Sequence, residues 1–170
     1  ILDAKIFDLV KQFAIHGTGE ICGLWNSREI AGYGIGSIFL TRAAVAIATQ
    51  IGLKSLFALC APYTVSMAES VGYEKETSIG NNGTFYYPKL DLIATSMILH
   101  DLKDLPKAAE DDRKAIFSLR ENPNVIRSET LRNKEIEIHY DILIANLNQW
   151  NLIDIITNSQ NNITFKQNPN

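Results

Sequence analysis

Residues 23–37 read GLWNSREIAGYGIGS and join an apolar, strand-like run to a long apolar helix. Three glycines alternate in this stretch, at Gly32, Gly34 and Gly36. Glycines in front of a helix allow backbone N–H groups to converge on an anion, and the positive end of the helix dipole adds to the attraction. The stretch therefore predicts an anion-binding loop that leads into the helix.

Two common phosphate-binding loops fit this spacing poorly. A P-loop needs Gly-x-x-x-x-Gly-Lys-[Ser/Thr], and no lysine follows Gly36. A dinucleotide loop has Gly-x-Gly-x-x-Gly directly after a strand and an acidic residue about 20 positions later. Here the spacing is Gly-x-Gly-x-Gly, the six residues NSREIA separate Trp25 from Gly32, and the chain about twenty residues further on is apolar. The loop therefore gives only weak support to a nucleotide-binding oxidoreductase domain.

The sequence on both sides of the loop predicts a mixed α/β fold. Apolar residues recur at helical spacing in some segments and form short apolar or alternating runs in others. The expected helices cover residues 4–14, 37–51, 62–71 and 106–120, and the expected strands cover 20–25, 53–61, 73–77, 92–99 and 135–144. Strand–helix–strand order across 20–61 implies a parallel pair with a right-handed crossover. The later strands have short connections, with a turn at Asn82 and Gly83 as the strongest signal, and are expected to be antiparallel.

Composition and charge place the chain among globular proteins of ordinary size. Its 170 residues are 46% hydrophobic and 21% charged, which predicts one domain over residues 1–158 and a polar tail over 159–170. No apolar run reaches the roughly 18–20 uncharged residues of a membrane span and no signal peptide is visible, which favours a cytoplasmic protein. The net charge of −3 argues against a nucleic-acid partner. Cys22 and Cys60 sit in apolar runs and are expected to be buried free thiols.

The stretch over residues 20–72 resembles the core of the GNAT N-acyltransferase superfamily. That core is a strand, a loop of the form [Arg/Gln]-x-x-Gly-x-[Gly/Ala], a helix, a second parallel strand, and a short helix ending in Gly-[Phe/Tyr]. This chain has AGYGIG at 31–36, LFALCAP at 56–62 and AESVGY at 68–73, in that order, over about a third of its length. If the chain is a piece of a longer protein, strands of this domain that come before Ile1 are expected to be missing from it.

The resemblance implies that strands 20–25 and 53–61 splay apart and that pantetheine lies in the gap. The donor would be acyl-CoA or the acyl-phosphopantetheine of an acyl carrier protein, and the acceptor a small amine such as an amino acid, which enters from the opposite side. No metal is implied. The residues that would bind the donor are Leu24, Trp25 and Asn26 along the pantetheine, and Gly32, Tyr33, Gly34, Ile35, Gly36 and Ser37 at the phosphate.

Two residues depart from the superfamily pattern. Ala31 stands at the Arg/Gln position of the loop, and Ala68 stands where the family usually has a general-acid tyrosine. Tyr63 is the nearest replacement for that tyrosine, although an aromatic residue that starts a helix also fits plain packing. Both departures suit the branch that uses acyl carrier proteins, the acyl-homoserine-lactone synthases and long-chain N-acyl amino acid synthases, because a carrier protein presents one phosphate and no adenosine.

Acyl transfer from a thioester needs a base for the amine, and Glu20 at the start of the cleft strand is the candidate, with a solvated strand end as the alternative. Arg28, Arg42 and Lys54 could form a basic patch for an acidic carrier protein, with a solvated face as the alternative. Two functions therefore stay open at this point. One is an N-acyltransferase, and the other is a non-catalytic acyl-CoA-binding or sensor module of the same fold.

Overall fold

A mixed sheet with helices on both of its faces forms the centre of the structure, a computed structural model that describes residues 5–31, 37–87, 91–131 and 133–162. The helices are α1 (Lys5–Ala14), α2 (Arg28–Ala31), α3 (Ile38–Ala48), α4 (Val65–Ser70), α5 (Glu110–Glu121) and α6 (Leu152–Asn162). The strands are β1 (Thr18–Glu20), β2 (Ser55–Cys60), β3 (Glu74–Lys75), β4 (Thr84–Tyr87), β5 (Leu92–Leu99), β6 (Asn124–Leu131) and β7 (Lys134–Asp141). The mixed α/β class predicted from the sequence is confirmed.

The sheet has the strand order β1–β2–β5–β3, and β4 also pairs with β5. β1 runs parallel to β2, with Glu20 opposite Phe57. β5 runs antiparallel to β2, β3 and β4, and β6 and β7 form a separate antiparallel hairpin. The sequence prediction of one parallel pair followed by antiparallel strands is therefore confirmed.

The two faces of β2 contact different helices, because successive side chains of a strand point to opposite sides of a sheet. Leu56, Ala58 and Cys60 lie in the hydrophobic core together with buried residues of α3, α4 and α5. Phe57 lies on the other face, where its ring meets the ring of Phe13 in α1 edge-on, with 5.4 Å between centroids. α1 thus covers one face of the sheet, and α3, α4 and α5 cover the other.

Two glycines end helices where the sequence predicts it. At the end of α3, Gly52 has a φ of +80°, and the Leu53 N–H reaches back to the Ala48 carbonyl at 3.3 Å. At the end of α4, Gly72 has a φ of +105°, and the Tyr73 N–H donates to the Ala68 carbonyl at 3.1 Å. Both are C-terminal motifs that need the left-handed conformation glycine adopts without strain.

The predicted strand 20–25 is wrong at both ends. β1 covers Thr18–Glu20, and residues 21–27 have no regular secondary structure. Gly23 has a φ of +69°, which takes the backbone out of the extended region. Cys22 is consequently exposed, against expectation, while Cys60 is buried as expected, and both are free thiols.

Other predicted boundaries also differ from the structure. The short helix α2 lies inside the segment predicted as loop, and α5 begins at Glu110 rather than near residue 106. The later start of α5 follows from the backbone of Ala109, which is extended (ψ 143°) rather than helical, and its N–H donates to the Ser70 carbonyl at 2.8 Å. α6 runs to Asn162, beyond residue 159 where a polar tail is predicted, and residues 163–170 lie outside the described ranges.

Candidate functional site

A cavity lies where the parallel strands β1 and β2 separate. The Ile21 N–H still donates to the Phe57 carbonyl at 2.9 Å, and beyond this bond residues 21–24 and 58–61 form opposite walls of a cavity of about 210 Å³. This cavity is called the fork cavity below. Its lining residues come from these two segments and from α3, α4 and their flanks: Ile21, Cys22, Gly23, Leu24, Ser37, Thr41, Ala58, Leu59, Cys60, Ala61, Thr64, Met67, Ala68 and Tyr73.

The walls of the fork cavity are apolar apart from a few hydroxyl and thiol groups. The Thr41 hydroxyl donates to the Ser37 carbonyl and the Thr64 hydroxyl to the Ala61 carbonyl, each at 2.9 Å. Burial raises the pKa of the Cys60 thiol, and a hydrogen bond with Thr64 opposes that shift in part. None of the described residues that line this cavity carries a Lys, Arg, His, Asp or Glu side chain, so these residues bring no charge to it.

Tyr73 is one of the lining residues of this cavity that the sequence does not predict. The residue is only 3% exposed, and its buried hydroxyl has no hydrogen-bond partner among the described residues. Burial is the main cause that raises the pKa of the Tyr73 phenol far above its usual value, and the nearby Cys60 adds to it. The helix end at Gly72 fixes its backbone beside Ala68, so the tyrosine and this alanine line the same wall.

A second cavity of about 400 Å³ lies on the opposite face of the sheet, beneath α1. Its lining includes Ile6 and Val10 of α1 and Glu20 of β1, and it shares Ala58 and Leu59 with the fork cavity. Glu20 belongs to this face because it is the register partner of Phe57, which contacts α1. The two cavities therefore approach the end of the β1–β2 pairing from opposite sides.

Of the residues predicted to hold pantetheine, Leu24 lines the fork cavity. Trp25 is 73% exposed, Asn26 in the same irregular segment is half-buried, and neither residue lines either of the two cavities. Ser37, the last residue of the predicted phosphate loop, lines the fork cavity in front of α3. The other five predicted phosphate-binding residues lie outside the described ranges: Gly32, Tyr33, Gly34, Ile35 and Gly36.

The two predicted catalytic residues are not brought together. Glu20 is exposed at the end of β1 and lines the cavity beneath α1. Tyr63 lies in the 3₁₀ helix Pro62–Thr64, is 82% exposed and lines neither of the two cavities. Glu20 thus lies at the cavity beneath α1, and Tyr73 rather than Tyr63 is a lining residue of the fork cavity.

The basic patch considered for a carrier protein does not form as a unit. Arg42 is largely buried and bonded through its guanidinium to Asp112 at 2.6 Å, with Glu129 at 3.7 Å. Arg28 and Lys54 are exposed. Because its charge is already neutralised by carboxylates, Arg42 is not available to an acidic partner.

The described residues contain no group of three or more His, Cys, Asp or Glu side chains placed to hold a metal ion. No helix within the same ranges has both the length and the apolar character needed to cross a membrane. Comparisons with protein-family models, curated proteins and solved structures found no match to this chain.

Proposed function

We propose that the chain is a GNAT-type N-acyltransferase. It would move an acyl group from acyl-CoA or an acyl carrier protein to the amine of a small acceptor such as an amino acid. The observation that carries the proposal is the fork cavity, which opens where β1 leaves β2 after the bond between Ile21 and Phe57. In the superfamily that residues 20–72 resemble, the pantetheine arm of the donor lies in such a gap.

The second cavity supports a route for the acceptor. It lies on the other face of the sheet and shares Ala58 and Leu59 with the fork cavity. An amine held beneath α1 would therefore approach a thioester in the fork from the side opposite the donor. Glu20 lines this cavity and carries a carboxylate that can accept the proton of the attacking amine, directly or through a water molecule.

In the reaction, the amine nitrogen attacks the thioester carbonyl carbon, and the C–S bond then breaks. The acyl group stays on nitrogen as an amide, the sulfur leaves with the electron pair, and it takes up a proton to become the free thiol. The protein's contribution is to orient the two reactants at the fork and to accept the amine proton, because held reactants avoid most of the entropic cost of meeting.

A non-catalytic acyl-CoA-binding module is the second candidate, and Ala68 favours it. At the position of the family's general-acid tyrosine, this residue presents only a methyl group to the fork cavity, where it is 6% exposed. A module without that acid would bind the donor and leave the thioester intact.

Thiol release separates the two candidates. The purified chain is incubated with acyl-CoA or acyl carrier protein and with pools of amino acids, and free thiol and N-acyl products are measured by mass spectrometry. We expect thiol release that depends on both donor and acceptor and that falls at least tenfold in Glu20→Gln. Donor binding with no thiol release for any donor and acceptor would leave the binding module as the function.

The predicted phosphate loop has its own variant. Gly34→Val places a β-branched side chain where the sequence predicts an approaching phosphate, and it disfavours a positive φ. We expect this variant to lose affinity for the donor, measured by calorimetry with acyl-CoA and acyl carrier protein, while its thermal unfolding stays close to that of the unaltered chain. Unchanged affinity would remove the loop from the donor site.

A further inference from the structure

A third cavity lies at the end of the β1–β2 pair that is opposite the fork, between α6 and the ends of α1 and α3. Its volume is about 470 Å³, and its lining includes His16, which comes shortly before β1, and Lys54, which directly precedes β2. It is called the α6 cavity below. Among the described residues, it shares no lining residue with the fork cavity or with the cavity beneath α1. A ligand bound here would therefore occupy a site separate from the one proposed above.

Two glycines and one hydrogen bond hold the start of α6 in place over this cavity. A Cβ added at Gly17 would lie 2.8 Å from Cδ2 of Leu152, and one added at Gly52 would lie 3.4 Å from the same atom. The indole N–H of Trp150 donates to the Ile51 carbonyl at 3.2 Å. The close approach of Leu152 thus depends on the two glycines, and the α6 cavity is what remains between the packed segments.

One end of the α6 cavity carries two basic side chains. The Lys54 N–H donates to the Gly17 carbonyl at 2.9 Å, which brings Lys54 next to His16. Both residues are exposed, and neither forms an ion pair with a described residue. No Asp or Glu belongs to the described lining, since Asp154 in the first turn of α6 is not part of it. The lysine ammonium therefore gives this end a positive charge that no described carboxylate of the lining neutralises.

The rest of the lining is mainly apolar and open to solvent. Ile15 is 57% exposed, Trp150 is 45% exposed and Ile153 is 73% exposed, and all three line the α6 cavity. Apolar surface of this kind gains free energy when a ligand removes it from water. The cavity thus combines a cationic end with an apolar wall.

We propose that the α6 cavity binds a fatty acid of medium chain length, with its carboxylate at Lys54 and His16 and its chain along the wall that Trp150 and Ile153 form. Charge complementarity selects the carboxylate, because a cationic headgroup would meet the like charge of Lys54. A cavity of about 150 Å³ holds a benzene molecule, so at the same ratio one of about 470 Å³ holds about nineteen non-hydrogen atoms. A chain of about ten carbons with its carboxylate fits within this limit.

Three probes test the proposal on the unaltered chain. Decanoate and decylammonium have chains of the same length and opposite charges, and acetate has the carboxylate without the chain. Binding is followed by ¹⁹F NMR on protein labelled with 5-fluorotryptophan. The chain has two tryptophans, of which Trp150 lines the α6 cavity and Trp25 lies outside its lining.

We expect decanoate to shift the Trp150 signal, with Trp25 as the internal reference, and acetate to leave it unchanged. Decanoate should bind about fivefold more tightly than decylammonium. Because the net charge of the chain is −3, its overall field favours the ammonium, so this preference reports the local charge of the cavity. Equal affinities for the two amphiphiles, or no shift of Trp150 with decanoate, would overturn the proposal.

Lys54→Met removes the ammonium and keeps an unbranched side chain. We expect it to weaken decanoate binding about fivefold, the upper end of what an exposed ion pair contributes, and not to weaken decylammonium binding. Lys103→Met is the matched control, because Lys103 is also exposed, the change in net charge is the same, and the residue is not part of the lining. Equal affinities of these two variants for decanoate would contradict the role of Lys54 and overturn the proposal.

Ile153→Ser tests the apolar wall and keeps the charges. We expect it to weaken decanoate and decylammonium binding alike, about fivefold, because the chain loses an apolar contact. Ile155→Ser is the control in the same helix, with the same change in helix propensity at a residue outside the lining. A loss of affinity as large in Ile155→Ser as in Ile153→Ser would place the chain elsewhere and reject the α6 cavity as its site.

Discussion

Arg42 and Asp112 lie 70 residues apart in the chain, and the Nε of Arg42 donates to Oδ1 of Asp112 at 2.6 Å. The bond joins α3 to the first turn of α5 across the core. The two side chains are only 16% and 10% exposed. A buried ion pair that loses one partner leaves the other charge uncompensated. The packing of the two helices therefore depends on both side chains being present.

Removal of Asp112 should therefore destabilise the fold strongly. We expect Asp112→Ala to lower the free energy of unfolding by about 3 kcal/mol, measured by urea denaturation, because among the described carboxylates Arg42 then keeps the more distant Glu129. Glu110→Ala is the matched control. Glu110 also lies in the first turn of α5 and pairs with Lys114 at 2.6 Å, but both side chains of that pair are more than two-thirds exposed.

The control should lose less than about 1 kcal/mol, as exposed ion pairs contribute little. Since both carboxylates sit at the positive end of the same helix, the loss of the dipole interaction is similar in the two variants. Equal losses for Asp112→Ala and Glu110→Ala would show that burial adds nothing to the Arg42 pair.

Gly83 should tolerate no side chain. Its φ is +81°, and an added Cβ would lie 2.6 Å from the Glu76 carbonyl oxygen. Gly23 has a similar φ of +69°, but a Cβ there meets no atom of the described residues within 4 Å. We expect Gly23→Ala to cost about 1 kcal/mol from the left-handed backbone alone, and Gly83→Ala roughly 3 kcal/mol, because steric displacement of the β3–β4 connection adds to the same strain.

Thermal or urea unfolding of both glycine variants measures this difference. The comparison isolates the close approach of the Glu76 backbone, because the conformational cost is shared by the two positions. A Gly83→Ala variant as stable as Gly23→Ala would mean that the turn at Asn82 and Gly83 adjusts without loss.

Alkaline pH should destabilise the fold through its buried tyrosines. Burial, together with the nearby charge and hydrogen bond of Glu129, raises the pKa of Tyr140 to about 12, against about 10 in an unfolded chain. Between these two values the unfolded state has already released the phenol proton while the folded state still holds it. The unfolded state then binds fewer protons, so stability is full below pH 10 and falls as the pH rises toward 12.

In Tyr140→Phe, the free energy of unfolding should fall less steeply between pH 10 and 12, as measured by urea denaturation at a series of pH values. The slope that remains is expected to come mainly from Tyr73, whose pKa is raised further by its burial. The double variant Tyr73→Phe with Tyr140→Phe should therefore show the smallest dependence of the free energy of unfolding on pH. If all of these variants lose stability with pH as steeply as the unaltered chain, the two phenols do not control the alkaline transition.

The sequence correctly predicts those elements that depend on a few neighbouring residues. The strand Leu92–Leu99 has the bounds predicted for it, and the glycines that end α3 and α4 adopt the expected positive φ. The sequence does not predict β6, because charged side chains face inward on this strand and an apolar side chain faces the solvent. Arg127 and Glu129 are half-buried on its inner side, while Ile126 is 60% exposed. Charged residues face inward there because they meet charged partners, as Glu129 meets Arg42. Since these partners lie far away in the sequence, no local pattern reveals them.

For the candidate site, the sequence predicts only a region of the chain. The order of segments over residues 20–72 pointed to the gap between β1 and β2, where Leu24 and Ser37 line the fork cavity. Tyr73 lines the same cavity because of the way β2, α3 and α4 pack around it. No local pattern contains that information, although the Gly-Tyr pair at 72–73 was visible in the sequence.

α1 should detach from the sheet without unfolding the rest of the chain. None of its residues is fully buried, and its contact with the sheet includes the Phe13 ring, edge-on to Phe57 at 5.4 Å and tilted against His100 at 5.5 Å. We expect Phe13→Ala to cost about 2 kcal/mol, from lost apolar burial and the aromatic pair, and to raise amide hydrogen exchange throughout α1. Exchange in β2 and β5, which are more deeply buried, should change little.

Phe7→Ala is the control within the same helix, because it has the same change in helix propensity at a side chain that is 50% exposed. It should raise exchange in α1 much less than Phe13→Ala. Because α1 forms one wall of the cavity that contains Glu20, its detachment in Phe13→Ala also opens that cavity to water. Equal exchange in the two variants, or faster exchange in β2 and β5 with Phe13→Ala, would show that α1 unfolds only together with the sheet.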